Sequence, residues 1–321
     1  MSQTRQIIGA LVFYGRFALS FSQVGYLARR LLWPRFTPDF RGQCWLVTGG
    51  TGGLGRHMVW AGLQGGARVI AAARDERKLA TLAAEAASAG LHDLEIERCD
   101  FSSVRDTDRL IERLVGSGVS IDVLMNNVGV MNDECLVTSE GMETSFVSNL
   151  LSHYVLTEGL IARGVLGSGS AVVNITSGGG YSLPLTTSLL NVTNPAQFSG
   201  VAAYAAHKRA QMALTPLWQT RHSSQRIDFY VMHPGWADTA GVQRSLPKFR
   251  QLFMPILRDA RSGADTAIWL AATRPEQPRQ ELVWFDRKMR PAHVFSHTRM
   301  TQETAPMLAD FLERHAALAR R

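Results

Sequence analysis

The chain has 321 residues, of which 45% are hydrophobic. This is enough to bury one large core but leaves little room for a second full domain. The formal net charge of +7 could attract nucleic acid, an anionic membrane surface or an acidic cofactor. The basic residues are dispersed, without a long Lys/Arg run, zinc-finger spacing or aromatic RNA-binding signature, so we expect no nucleic-acid partner.

Three cysteines, Cys44, Cys99 and Cys135, occur at unrelated spacings and form no C-x-x-C pair. An odd number in this pattern supports neither a disulfide framework nor a zinc site, and no His/Cys cluster requires another metal. We therefore expect no metal and a reducing, cytoplasmic compartment.

Residues 1–40 are predicted to form an amphipathic helical extension. Residues 7–33 are rich in apolar side chains, but Arg16, Arg29 and Arg30 interrupt them, so no uncharged run reaches the roughly 20 residues of a spanning helix. Such a helix would lie on an apolar partner. That partner is either a membrane surface, which would make the protein peripherally membrane-associated, or protein, in the same chain or in a dimer.

Beyond a polar connector, apolar runs bounded by turn residues alternate with helical patterns. The predicted strands cover residues 44–47, 67–73, 94–98, 123–125, 171–175 and 229–232. Long helices between them, one of them from about 138 to 163, are typical of a parallel sheet covered on both faces. We predict an α/β fold with a single Rossmann-fold domain over 41–275, a doubly wound parallel sheet, and a C-terminal strand and helical tail over 276–321.

The turn after the first strand reads Thr48-Gly49-Gly50-Thr51-Gly52-Gly53-Leu54-Gly55. Glycines allow positive φ here and let the backbone approach a pyrophosphate, whose charge is met by N–H groups at the helix start. The spacing fits both G-x-G-x-x-G and T-G-x-x-x-G-x-G. Because it lies between a strand and a helix, we predict a dinucleotide site with contacts at Thr48, Gly49, Gly53, Leu54 and Gly55.

The end of the second strand bears on the cofactor type. A carboxylate there would bind the adenosine ribose and repel a 2′-phosphate, but this chain has Ala73 at that point. Arg74 follows and can bind a phosphate through its planar fork of donors. We therefore predict a preference for NADP(H). Asp75 lies one residue further and could rotate inward, so NAD(H) remains an alternative.

Over roughly residues 42–275 the chain resembles the short-chain dehydrogenase/reductase family. The matching motifs are the glycine turn, Cys99-Asp100-Phe101, Asn126-Asn127-Val128-Gly129, Asn149 in a helical stretch, Ser177 after an apolar strand, Tyr204-x-x-x-Lys208 on a predicted helix, and Pro234-Gly235 after a strand. The resemblance implies further cofactor contacts at Asp100, Phe101, Asn127, Gly129, Tyr204, Lys208, Pro234, Gly235 and Thr239. Relatives usually form homodimers or homotetramers through helices of this sheet, unless the N-terminal extension covers that surface.

Carbonyl reduction requires hydride at carbon and a proton at the developing alkoxide. Tyr204 is the predicted proton donor, and a nearby cation would lower its pKa. Lys208 is four residues further on and shares its helix face. The resemblance implies that Lys208 also binds the nicotinamide ribose, that Ser177 binds the substrate oxygen, and that Asn149 holds a water linking Lys208 to solvent.

Two segments depart from a minimal fold. The gap between Ser177 and Tyr204 is longer than the family commonly has, as in its retinol-dehydrogenase-like members, and residues 236–261 are rich in apolar side chains. We interpret 178–203 and 236–261 as substrate-side insertions that form a pocket for a lipophilic ketone, aldehyde or alcohol. The alternative is that the apolar side chains of 236–261 only pack on the core.

Two other functions remain open. The fold could bind a dinucleotide as a sensor or scaffold without turnover, although the intact set of Asn149, Ser177, Tyr204 and Lys208 argues against this. A nucleotide-sugar epimerase also uses Tyr and Lys. Such enzymes normally show T-G-x-x-G-x-x-G and a larger C-terminal domain, which this sequence lacks.

Overall fold

A computed structural model describes residues 15–245, 247–276 and 280–321, without the side chains at 240, 244 and 248. Its sheet has eight strands in the order β3-β2-β1-β4-β5-β6-β7-β8. The strands are β1 (Cys44–Thr48), β2 (Arg68–Ala73), β3 (Leu94–Arg98), β4 (Val123–Asn126), β5 (Ala171–Ile175), β6 (Asp228–Met232), β7 (Leu282–Phe285) and β8 (Lys288–Pro291). Pairing is parallel up to β7, and β8 is antiparallel to it.

Helices cover both faces of this sheet, which confirms the predicted fold class. They are α1 (Gln23–Arg30), α2 (Gly53–Gln64), α3 (Glu76–Ser88), α4 (Val104–Gly116), α5 (Thr144–Phe146), α6 (Ser152–Ala162), α7 (Gly200–Arg221), α8 (Ala240–Ser245), α9 (Pro247–Phe253), α10 (Ala260–Thr273) and α11 (Ala305–Ala319). A π-helical turn, Val147–Leu151, joins α5 to α6.

Alternation along the strands divides the core between the two faces. In β1, Leu46 packs with α4, α6 and α7, whereas Trp45 and Val47 pack with α2 and α10. Because both faces are covered, all five residues of β1 are buried, as is typical of a parallel sheet.

The helix predicted from about residue 138 begins later, at Thr144. Residues 137 and 143 pair across a tight turn, in which the Thr138 amide donates to the Met142 carbonyl (2.8 Å). The Glu143 carboxylate then accepts from the Ser145 and Phe146 amides and caps the helix. Capping chemistry thus overrides the apolar pattern at this end.

The N-terminal segment, residues 15–38, docks on the domain that contains the sheet, so protein is one of its partners. Phe17, Phe21 and Tyr26 are buried, and the Trp236 amide donates to the Phe21 carbonyl (2.9 Å). Residues 15–21 are helical and precede α1, which begins at an N-cap formed by Ser22. Residues 1–14 of the predicted extension lie outside the described residues.

A buried Arg–Asp–Arg cluster, formed by Arg29, Arg258 and Asp286, fastens this segment. Asp286 lies in the two-residue turn between β7 and β8, at φ 50°, and its side chain is 1% exposed. Its carboxylate accepts from Arg258 Nη1 (2.6 Å) and Nη2 (3.0 Å) and from Arg29 Nε (2.6 Å). Both guanidinium groups also donate to the Ser20 carbonyl. The cluster thereby joins three distant parts of the chain.

The C-terminal tail ends in α11, which covers the α4 and α7 layer. Leu308 and Leu312 enter the core on that face. Tyr154 Oη donates to Glu313 Oε1 at 2.8 Å, and the Arg320 guanidinium donates to both carboxylate oxygens of Asp108. The tail is therefore an integral part of the domain.

Candidate active site

The glycine turn leaves β1 in a conformation that suits a pyrophosphate. Gly49 and Gly53 have φ of +68° and +50°. A Cβ at Gly55 would lie 2.3 Å from the Gly49 carbonyl oxygen, so this close approach requires glycine. Gly53 opens α2, whose first N–H groups face the turn, and Leu54 packs near Gly263 of α10. The backbone present thus fits a dinucleotide.

Thr48 and Asn127 join the glycine turn to the end of β4. Thr48 Oγ1 donates to the Met125 carbonyl (3.1 Å) and accepts from the Asn127 amide (2.9 Å). Asn127 Nδ2 donates to the Thr48 carbonyl at 2.8 Å. These contacts hold the end of β4 against the glycine turn.

Arg74 and Asp75 differ in how the fold uses them. Asp75 is the N-cap of α3, and its carboxylate accepts from the Lys78 amide at 3.1 Å. The carboxylate is therefore used to cap the helix. The Arg74 side chain is exposed at the end of β2 and makes no hydrogen bond or ion pair with a described residue. This arrangement leaves a guanidinium open to a phosphate and a carboxylate engaged elsewhere.

The other predicted cofactor residues follow the same edge of the sheet. Asp100 Oδ1 accepts from the amide (3.0 Å) and hydroxyl (2.8 Å) of Ser102. The Phe101 side chain is buried in the core, which leaves its backbone as the part that could meet an adenine. Gly129 borders Lys208, because a Cβ there would lie 3.4 Å from Nζ.

The loop after β6 closes the far side of the cleft. Gly235 has φ of +77°, and a Cβ there would lie 2.3 Å from Arg258 Nε. The side chain of Thr239 lies 3.5 Å from the Cβ position of Gly53, and its hydroxyl accepts from the Val242 amide (3.3 Å). Pro234 and Thr239 thus lie beside α10 and the glycine turn, respectively.

Ser177, Tyr204 and Lys208 converge at the carboxyl end of β5. The Ser177 hydroxyl hydrogen-bonds the Tyr204 phenol, and Lys208 Nζ lies 5.5 Å from the centre of the Tyr204 ring. The turn Gly178–Tyr181 packs closely on α7, since a Cβ at Gly180 would lie 3.0 Å from the Lys208 carbonyl carbon. This close packing brings the three side chains together.

Burial dominates the ionisation of this group. The expected lowering of the Tyr204 pKa is wrong for this structure: the pKa is raised, because burial outweighs the hydrogen bond donated by Ser177. Burial also lowers the pKa of Lys208 to about 7. The side chain is therefore only partly protonated at neutral pH, and it stabilises a negative charge on Tyr204 less than the four-residue spacing suggested. Tyr204 is consequently protonated at neutral pH.

Asn149 lies in the π-helical turn beside this group. Its Oδ1 accepts from the Val130 amide (2.7 Å), and its Nδ2 donates to the Val130 carbonyl (2.7 Å). The side chain thereby holds the loop after β4 next to Lys208. Its predicted role in holding a relay water stays a prediction.

Sequence reasoning missed a buried polar group behind Lys208. Gln211, His153 and His207 are each at most 2% exposed and surround Asn149 and Lys208. The available signal was the spacing of Gln211, three residues after Lys208 on one helix. His153, on α6, left no comparable pattern.

The two insertions divide their apolar side chains between core and surface. Leu185 and Leu190 of 178–203 are buried in the core beside α7. In 236–261, the Trp236 ring packs on the rings of Phe249 and Phe253, with ring centroids 5.3 and 4.9 Å away, respectively, next to the N-terminal segment.

In the described parts of the chain, no group of three or more His, Cys, Asp or Glu is placed to hold a metal.

Comparisons with known proteins agree with this geometry. The short chain dehydrogenase family model matches residues 43–249, and the chain belongs to this family of NAD(P)-dependent oxidoreductases. Dehydrogenase/reductase SDR family member 12 of Bos taurus is 31% identical over 298 residues, 89% of this chain and 90% of that protein. Human retinol dehydrogenase 12 is 26% identical over 242 residues, 74% and 75% of the two chains. These relatives confirm the retinol-dehydrogenase-like subgroup.

A solved short chain dehydrogenase from Burkholderia cenocepacia in complex with NADP shares the fold. Its TM-score is 0.59 at 20% sequence identity, with 73% of this chain and 92% of that chain covered.

Proposed function

We propose that this protein interconverts a lipophilic ketone or aldehyde and its alcohol with NADP(H), and that Tyr204 is the acid/base. The observation that carries the proposal is the convergence of Ser177, Tyr204 and Lys208 at the carboxyl end of β5, where Lys208 borders Gly129 in the loop after β4. A structural cluster would have no reason to lie at this edge, where parallel α/β sheets bind their ligands.

NADPH, when bound, supplies the hydride. In reduction, the Ser177 hydroxyl donates a hydrogen bond to the substrate oxygen, where negative charge develops. Tyr204 then gives its phenolic proton to that oxygen, and its raised pKa ensures that the proton is present at neutral pH. Lys208, whose Nζ donates to the Ile175 carbonyl (2.8 Å), is held where it can bind the ribose and stabilise the phenolate that remains.

Arg74 supports the preference for NADP(H), together with the engagement of Asp75 as a helix cap. The related structure from Burkholderia cenocepacia holds NADP. Arg74→Ser should lower kcat/KM with NADPH by at least about tenfold and leave kcat/KM with NADH nearly unchanged. The reason is the loss of a charge-assisted hydrogen bond to the phosphate, which contributes about 1.5–3 kcal/mol. The matched control is Arg77→Ser on the exposed side of α3. Higher kcat/KM with NADH in the unaltered protein would contradict the preference.

Exposed apolar side chains in the segment after β6, Leu252 and Met254, support a lipophilic substrate, because Trp236, Phe249 and Phe253 of the same segment are engaged in packing on one another. One relative is named a retinol dehydrogenase. The test is loss of NADPH absorbance with a panel of aliphatic, aromatic and polyene carbonyls. Ser177→Ala should lower kcat about 100-fold, whereas the exposed Ser182→Ala should not. NADPH binding without consumption across the panel would favour the sensor function.

We also propose peripheral contact with an anionic membrane through the N-terminal segment. Leu19, Leu31 and Leu32 are 77%, 87% and 84% exposed, although the opposite side of the segment is docked. Residues 15–38 contain arginines but no Asp or Glu, which suits an anionic bilayer. Among described residues, no helix combines the length and apolarity that crossing a bilayer requires.

Co-sedimentation with vesicles of phosphatidylcholine, with and without phosphatidylserine, tests this contact. The double change Leu31→Ser and Leu32→Ser should weaken binding at least tenfold, since burying each leucine contributes roughly 1.5–3 kcal/mol. Leu318→Ser, at an exposed leucine of α11, is the matched control. Equal sedimentation of all three proteins would exclude this surface.

Assembly into a homodimer or homotetramer also stays a proposal. It rests on the family, while α11 already covers part of the α4 and α7 layer. Light scattering coupled to gel filtration gives the mass directly.

A further inference from the structure

Five side chains form a buried polar cluster behind the candidate active site. They are Asn149, His153, His207, Lys208 and Gln211, all at most 2% exposed. Buried polar groups are costly unless their hydrogen bonds are made, and of the side-chain nitrogen and oxygen atoms in this cluster only His153 Nε2 lacks a partner among the described residues.

Lys208 carries three N–H donors, and two have protein acceptors. Nζ donates to the Ile175 carbonyl at 2.8 Å and to Gln211 Oε1 at 3.3 Å. The third donor has no hydrogen-bond acceptor among the described residues and can serve the cofactor cleft. Gln211 thus supplies one of two fixed acceptors for an ammonium that has almost no contact with water.

The orientation of the Gln211 amide follows from its other contacts. Its Nε2 donates to the Asn149 carbonyl (2.9 Å) and lies 3.3 Å from His153 Nδ1. A carbonyl can only accept, so the nitrogen must face Asn149 and the oxygen must face Lys208. The Nδ1 atom of His153 then accepts, which places the histidine proton on Nε2.

We propose that Gln211 is a positioning residue that holds the Lys208 ammonium in place and favours its protonated form, by linking Nζ to the Asn149 carbonyl. The link is built from protein alone, and it acts on Tyr204 only through Lys208. This assignment rests on the proposed function for its catalytic meaning, but the ionisation of Lys208 can be measured without turnover.

The titratable groups around Lys208 are few. On its own helix these are Tyr204 and His207, and on α6 the nearest is His153. Burial lowers the pKa of His207 to about 4 and that of His153 to about 3, so both are neutral while Lys208 titrates. A change in the Lys208 midpoint in a Gln211 variant therefore reports the lost acceptor.

The chain has only four lysines, Lys78, Lys208, Lys248 and Lys288, so NMR of protein labelled with carbon-13 at lysine Cε can follow each one. Single Lys→Arg changes at the other three positions assign the signals. Gln211→Met, which keeps the length but removes the acceptor, should lower the Lys208 midpoint by about one pH unit. Gln211→Glu should raise it by about as much or more, because a carboxylate favours the charged amine.

Gln219→Leu is the matched control, since this glutamine lies on the same helix and accepts from the Phe229 amide (3.0 Å) far from Lys208. Its midpoint should equal that of the unaltered protein. If Gln211→Met does not fold, Gln211→Asn withdraws the acceptor by one methylene and should lower the midpoint in the same direction. Midpoints that stay fixed, or that move the same way in the Met and Glu variants, would overturn the assignment.

The pH dependence of kcat adds a second readout when turnover is found. Its descending limb, where Lys208 loses its proton, should follow the midpoints measured by NMR in both variants. Shifted midpoints in a protein that consumes no NADPH would reject the proposed function and leave the Gln211 assignment intact. Turnover in a protein whose Lys208 midpoint does not shift in the Gln211 variants would support the proposed function and overturn the Gln211 assignment.

Discussion

The buried Arg–Asp–Arg cluster predicts a loss of folding stability whose magnitude follows from the burial of its side chains. Asp286→Asn removes the carboxylate that faces Arg29 and Arg258 while keeping the shape of the side chain. Arg258 and Asp286 are each 1% exposed, whereas Arg29 is 26% exposed, so the Arg258 guanidinium is the one that would lose its anionic partner without access to water. Breaking such a buried pair costs about 3–5 kcal/mol. For a chain of this length, that lowers Tm by about 4–7 °C.

Denaturant unfolding, followed by circular dichroism, measures the loss. Asp39→Asn is the matched control, because it breaks the Arg41 ion pair at 2.6 Å, where the two side chains are 57% and 81% exposed. An exposed pair contributes about 0–1 kcal/mol, so the control should lose far less. Limited proteolysis should also cut the N-terminal segment faster in the Asp286 variant. Equal losses in the two variants would refute the argument that burial sets the magnitude.

Three further outcomes are expected. Tyr204→Phe should abolish turnover and leave NADPH affinity within a few fold, because it removes the proton donor but few cofactor contacts; kcat and fluorescence titration measure the two. The pKa values of His153, His207 and His233 are lowered by burial to about 3, 4 and 3, so the unfolded chain binds more protons below pH 6.5. Stability should therefore fall as pH drops from 6.5 to 4, by about 1.4 kcal/mol per pH unit per histidine, and His233→Asn should make urea midpoints less pH-dependent. Gly55→Ala should raise the NADPH Kd at least tenfold, since its Cβ would lie 2.3 Å from a carbonyl of the glycine turn.

Local signals predicted the sheet and the glycine turn well. The strands were readable because apolar runs such as 171–175 lie between turn residues, and the turn because Gly49, Gly53 and Gly55 occupy positions that other residues fill poorly. The helix after β4 was predicted too long, because the cap supplied by Glu143 lies within an otherwise helical pattern.

Contacts between residues that are far apart in the chain could not be predicted from the sequence. Gln211 and His153 meet across two helices, and Asp286 meets Arg29 from 257 residues away. The pKa of Tyr204 was misjudged for the same reason: spacing places Lys208 nearby, but only packing reveals that both groups are desolvated. An amphipathic segment cannot disclose whether its apolar side meets lipid or protein, and here one side is docked while leucines remain exposed on another.

The docking of the N-terminal segment has a mechanical consequence. Its backbone is hydrogen-bonded to Trp236 and Arg258, which flank the loop after β6, so it cannot behave as a flexible tether. If Leu31 and Leu32 enter a bilayer, the whole catalytic body is held at one fixed tilt to the lipid. The distance between Tyr204 and the lipid headgroups would then be the same in every bound molecule.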